Sequence, residues 1–102
     1  MLIKQGVDRI ELGDGEWVDI KDRLTIGDYD RIQRLGETHG PALSTIIVGI
    51  MAWNIEEDGK VADLTPENIA RMEPVKALEV FTEIGKRNRK PKKGSTRKST
   101  PA

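Results

Sequence analysis

The chain has 102 residues, 36% of them hydrophobic and 33% charged, which allows one domain with a modest core. It contains no cysteine, which excludes a disulfide framework and a thiolate metal site and suits a reducing compartment. The net charge of zero is unevenly spread: residues 1–85 hold all 17 acidic and nine basic residues (net −8), while residues 86–102 hold eight basic residues and no acid (net +8).

From the N-terminus, Met1-Leu2-Ile3-Lys4 lacks the basic-then-apolar layout of a signal peptide. Residues 7–12 and 16–20 then flank Gly13-Asp14-Gly15. The second run alternates Trp17 and Asp19 against Val18 and Ile20, and the linking residues tolerate positive φ, so a β-hairpin is expected. One hairpin is marginal alone and must lay an apolar face on the helices that follow.

Thr25 reads as a helix N-cap with Asp28 as its partner three positions on. Ile26, Tyr29, Ile32 (or Gln33) and Leu35 or Gly36 recur at helical spacing, predicting that they face inward, with Asp28, Asp30, Arg31 and Arg34 outward. Gly40-Pro41 separates this helix from the next, expected over residues 42–53 and apolar on nearly every side, hence central. The longest apolar run, residues 41–55, is interrupted by Ser44, Thr45 and Asn54 and falls short of the roughly 20 residues that cross a bilayer, so no membrane role is expected.

Glu56-Glu57-Asp58-Gly59-Lys60 reads as a turn closing a small hairpin between Ile55 and Val61. Thr65-Pro66-Glu67 supplies an N-cap, a proline at the first helical position and an acid in the first turn. Pro74 starts a last helix with Val75, Leu78, Phe81 (or Thr82) and Ile84 or Gly85 on one face, and Lys86 and Arg87 in its final turn, where the helix dipole favours cations. From Asn88 onward only Pro91, Pro101 and Ala102 are apolar, a composition that predicts disorder. The expected architecture is therefore α+β: an N-terminal β-hairpin on a small bundle of about four helices over residues 1–87, then a disordered basic tail over residues 88–102.

No constellation for chemistry is visible. His39, the single histidine, has neither a nucleophile nor an orienting partner near it in sequence, and reads as a surface or capping residue. Asp19, Asp22, Asp28 and Asp30 are interleaved with Lys21, Arg23 and Arg31, which points to a solvated, salt-bridged face rather than a metal site. Asn54 to Thr65 spaces its acids like a calcium loop, but the closing bidentate glutamate is replaced by Thr65. No phosphate loop, serine elbow, zinc pattern or dinucleotide fingerprint appears, so neither enzymatic activity nor a cofactor is expected. Trp53 reads as core, whereas Trp17 reads equally as core or as a partner anchor.

The order of these pieces resembles the small tail assembly chaperones of long-tailed bacteriophages. The resemblance is carried by Glu16-Trp17-Val18-Asp19-Ile20-Lys21-Asp22-Arg23-Leu24-Thr25-Ile26-Gly27-Asp28, by residues 47–53, by Asp58-Gly59-Lys60 and by Leu64-Thr65-Pro66-Glu67-Asn68-Ile69. It implies a non-enzymatic protein of the host cytoplasm that binds the aggregation-prone tape measure protein and helps deliver tail tube subunits to it. A groove with Trp17, Val18 and Ile20 on one side and Leu78, Phe81 and Ile84 on the other is the expected cradle for an amphipathic partner helix. Exposed hairpin edges also invite self-association by strand addition. The alternative is a structural virion or nucleic-acid-associated protein, in which Lys86, Arg87, Arg89, Lys90, Lys92, Lys93, Arg97 and Lys98 neutralise phosphates without reading sequence.

Overall fold

The computed structural model describes residues 2–88 and is α+β, as the sequence predicts. Strands β1 (Val7–Gly13) and β2 (Glu16–Lys21) form the expected hairpin, closed by Asp14 and Gly15 at φ 56° and 78°. A tight turn matched to strand twist requires two positive-φ residues at its centre, which Asp-Gly supplies with little strain, and Gly13 before them also has positive φ, 90°. The pairing sets Ile10 opposite Val18 and Asp8 opposite Ile20, with an irregularity between Glu11 and Gly13. Ile10, Leu12, Val18 and Ile20 all point inward and are buried, while Val7, Arg9 and Glu11 are exposed on the other face.

Helix α1 (Ile26–His39) opens on a complete capping box: Asp28 N–H donates to Thr25 Oγ1, and Thr25 N–H donates to Asp28 Oδ2 at 3.0 Å. Its apolar stripe departs from expectation, because Ile26 and Tyr29 are exposed and Asp28, expected outward, is 7% exposed. The helix lies at the rim and packs mainly on α2, so only the middle of the stripe, at Ile32, reaches the core.

Helix α2 (Pro41–Gly49) is shorter than the sequence suggests. The chain leaves helical geometry at Ile50 (φ −84°, ψ 139°) and becomes strand β3 (Ile50–Trp53), which adds antiparallel to β2 in the order β1-β2-β3. An apolar run without clear periodicity fits a buried helix or a buried strand, and here the open edge of β2 decides. Val18 pairs with Trp53 and Ile20 with Ile50, Asn54 N–H donates to Trp17 O, and Met51 is set outward by the offset between those pairs. A glycine at the joint also lets helix α4 approach closely. A Cβ on Gly49 would lie 2.7 Å from Cδ1 and 3.3 Å from Cγ1 of Ile84, which is 1% exposed. Gly49→Ala should therefore cost about 1–3 kcal/mol, read as a lowered urea midpoint with unchanged slope, because overpacking outweighs the gain in helix propensity.

Strands β4 (Glu56–Glu57) and β5 (Lys60–Val61) make the small hairpin expected there. Helix α3 (Pro66–Ile69) starts at the Thr65 cap, and helix α4 (Pro74–Arg87) starts at Pro74. The buried face of α4 is rotated from the expected one: Val80 and Ile84 are fully buried with Ala77 and Phe81 beside them, while Val75 and Leu78 are exposed. Ion pairs accompany this rotation at both ends of the helix. Lys76 Nζ reaches Glu16 at 2.7 Å and Asp14 at 3.2 Å at the hairpin turn, and these hydrogen bonds hold its ammonium above its ordinary pKa. Arg87 Nε reaches Asp8 at 2.7 Å at the other end of the hairpin. The helix thus lies along the inward face of the sheet, tied at both ends.

Asn88, expected to begin the tail, belongs to the folded body. It closes α4, its Nδ2 donates to Ile84 O, and its Oδ1 accepts from Leu24 N–H at 2.8 Å. Arg89, Lys90, Lys92, Lys93, Arg97 and Lys98, and the disorder expected of their segment, lie outside the described residues. Among the described residues no helix is long and apolar enough to cross a membrane.

Candidate partner-binding groove

The cleft expected between hairpin and last helix is closed. Val18 and Ile20 are 0% exposed and Ile84 is 1% exposed, because α4 packs on the sheet and all three side chains belong to the core. Trp17 points to the opposite side of the sheet, where the Arg9 guanidinium lies 3.5 Å from its ring centroid. The six residues expected to line one cradle are therefore divided among core, outer sheet face and helix surface. Leu78 and Phe81 alone remain together on an open surface.

Those two line a different groove, open to solvent and enclosing about 370 Å³, between α2, α3 and α4. Its floor is Ile46 from α2 and Ile69 from α3, both in the core. Leu43, Met72, Ala77 and Phe81 are half-buried walls, and Leu78, 62% exposed, stands at the rim. The volume lies within the range of small binding clefts, and the lining is almost wholly apolar. Small residues keep it open: Ala42, Ala70 and Ala77 sit where larger side chains would fill it.

The elements around the groove are held from outside it. Trp53 Nε1 donates to Ala62 O at 2.8 Å, joining β3 to the segment that leads into α3. Arg71 donates to both carboxylate oxygens of Glu57 and to Asn68 Oδ1, which anchors the end of α3 to the small hairpin. Asn54, the first position of the apparent calcium loop, accepts from Trp17 N–H and donates to Gly15 O, so its side chain brackets the main hairpin.

The acidic series is less uniformly solvated than the sequence suggests. Asp19 accepts from Arg9, Asp30 pairs with Arg34, and Asp22 accepts from Gly6 N–H. Asp28 is buried and accepts from Lys21 Nζ at 2.8 Å and Gln5 Nε2 at 2.7 Å. Burial pushes its carboxyl up, but the hydrogen bonds from Lys21, Thr25 and Gln5 together bring it down to about 2. Among the described residues no group of three or more His, Cys, Asp or Glu side chains is placed to hold a metal ion. His39 is exposed at the end of α1. Of the basic series, Lys86 is exposed and pairs with Glu83 on its own helix, whereas Arg87 pairs with Glu83 and with Asp8 of β1 and so ties α4 to the hairpin.

The groove was not legible in sequence because it is assembled from three helices and depends on the rotation of α4. The available signal was the alternation of alanines with Leu43, Met72 and Leu78, which marks close helix crossings with apolar flanks. Comparison with protein-family models, with curated proteins and with solved structures finds no match to this chain.

Proposed function

We propose that the chain is a non-enzymatic assembly factor that holds an amphipathic helix of a larger partner in the groove between α2, α3 and α4. The single observation that carries the reading is the pairing of a preformed apolar groove with a large, exposed leucine at its rim. Apolar side chains at i, i+3, i+4 and i+7 of a partner helix are the shape such a groove accepts. The body offers a charge preference too. Residues 2–88 carry 17 acidic and 11 basic side chains, net −6, which favours a partner helix with basic flanks and gives an association that weakens with salt. The resemblance to phage tail assembly chaperones makes the tape measure protein the partner to try, with the tail tube subunits as the second. Weak contacts repeated along a long helical partner would act through avidity.

The test is co-expression with the candidate tape measure protein, followed by size-exclusion chromatography of the soluble fraction. Co-elution of a solubilised partner supports the reading. Leu78→Asp should leave the melting temperature of the free protein nearly unchanged, since the side chain is solvated, yet weaken the complex by roughly tenfold or more. Retention of full binding by this variant removes the groove from consideration. A partner that stays insoluble while this chain elutes alone turns the question to the basic segment, tested on DNA across a salt series.

A further inference from the structure

A different surface carries a conclusion independent of the groove. β1 is an edge strand of seven residues, the longest strand among the described residues. Asp22 N–H donates to Gly6 O, so the pair Gly6–Asp22 is hydrogen-bonded, and by the alternation of an antiparallel ladder Asp8–Ile20 and Ile10–Val18 are bonded as well. The intervening residues Val7, Arg9 and Glu11 therefore turn their N–H and C=O groups away from β2. All three are exposed, and among the described residues none of these backbone groups has a partner. The edge is only lightly protected: β1 has no proline and no lysine, its charges are Asp8, Arg9 and Glu11, and its irregularity lies only at the turn end, beyond Glu11.

We propose that the β1 edge is a self-recognition surface, on which a second copy of this chain adds antiparallel about a two-fold axis at Ile10 to join two three-stranded sheets into one of six. The backbone parity requires odd residues to meet odd residues, which leaves few registers. Centring on Arg9 sets Arg9 against itself, and centring on Glu11 sets Glu11 against itself. Centring on Asp8 leaves Glu11 outside the paired stretch. Centring on Ile10 sets Arg9 opposite Glu11 of the second copy twice, and brings the two Ile10 side chains together over the core. The Arg9 guanidinium is ready for this: Nε and Nη2 bind Asp19 and the plane lies on Trp17, while Nη1 has no hydrogen bond among the described residues. Asp8, on the inward face, brings no unpaired charge, since Arg87 holds it. Two-fold pairing uses the edge once on each copy and closes, so the exposed ladder is removed rather than propagated.

The experiment is sedimentation velocity on the full chain over a concentration series, with circular dichroism to confirm folding. A monomer–dimer equilibrium is expected. Glu11→Arg places two positive side chains opposite one another at both contacts, and should weaken the dimer by about tenfold or more while leaving the β1–β2 ladder intact. Glu11→Pro removes only an outward N–H and should abolish it. If the proline variant fails to fold, the charge variant still decides. A chain that is monomeric at every concentration, a dimer that survives in folded Glu11→Arg, or open-ended filaments instead of a dimer would each overturn the proposal.

Discussion

Ile84→Ala is expected to destabilise the protein by about 3–4 kcal/mol, on the order of a third to a half of the stability of a domain this size. Ile84 is fully buried where α2, α4 and the sheet meet, and it rests on the bare backbone of Gly49. Truncation removes three carbons from a fully buried site that rests on main chain, so the cavity term adds to the lost transfer energy. The measurement is urea unfolding followed by tryptophan fluorescence, with a shifted midpoint and unchanged slope. A loss below about 1 kcal/mol would mean that α4 does not sit on Gly49 as described. A double-mutant cycle sharpens the test. Ile84→Val deletes the atom that a Cβ at position 49 would meet, so Gly49→Ala should cost less in that background than alone. Since Ile84 lies in the core and not in the groove, either variant should bind the partner normally under conditions where it is folded. That separates the role of Ile84 from that of Leu78.

What could be read from the sequence was what local chemistry decides. Asp14-Gly15 demands a tight turn, Thr25 with Asp28 a helix start, and Pro66 and Pro74 helix first positions, and each element begins where those residues place it. Features decided by distant parts of the chain were not legible. Residues 50–53 are apolar enough for helix or strand, and the free edge of β2, some thirty residues away, makes them a strand. The face of α4 was ambiguous because Phe81 and Ile84 belong both to the series through Leu78 and to the series through Ala77. Burial of Val80 and Ile84 against distant parts of the chain selects the series through Ala77, the ion pairs of Lys76 with Glu16 and of Arg87 with Asp8 accompany it, and none of these is visible as a local pattern. The same rotation buries Ile84 and exposes Leu78, and so closes the expected cradle and opens the groove beside it. Burial of Asp28 was hidden for a similar reason: its helical position predicts exposure, and Lys21 and Gln5 arrive from the strand and the N-terminal segment.

Asp28→Ala is expected to cost about 3 kcal/mol near neutral pH, more than an ordinary helix cap, which contributes about 1 kcal/mol. The carboxylate joins three parts of the chain: Gln5 of the N-terminal segment, Lys21 at the end of β2, and the first turn of α1. Its removal leaves the ammonium of Lys21, whose side chain is only 14% exposed, without its ion-pair partner, and leaves the Thr25 N–H without an acceptor. The pH dependence distinguishes this from a simple packing loss. The folded carboxyl titrates at about 2, against the usual 3.8. A depressed pKa contributes stability that is fully present above the unfolded value and is lost as pH falls through the folded one. On that scale the contribution is about 2 kcal/mol at neutral pH and disappears between about pH 4 and pH 2. The stability gap between the parent chain and Asp28→Asn should therefore narrow across that window, although both proteins weaken in acid because Asp19, Glu57 and Glu83 are also held below their ordinary values by Arg9, Arg71 and Arg87. Urea midpoints at several pH values read the gap directly. A gap that stays constant or widens in acid would show that Asp28 is held by shape alone, and that the N-terminal segment, β2 and α1 are joined by something other than its charge.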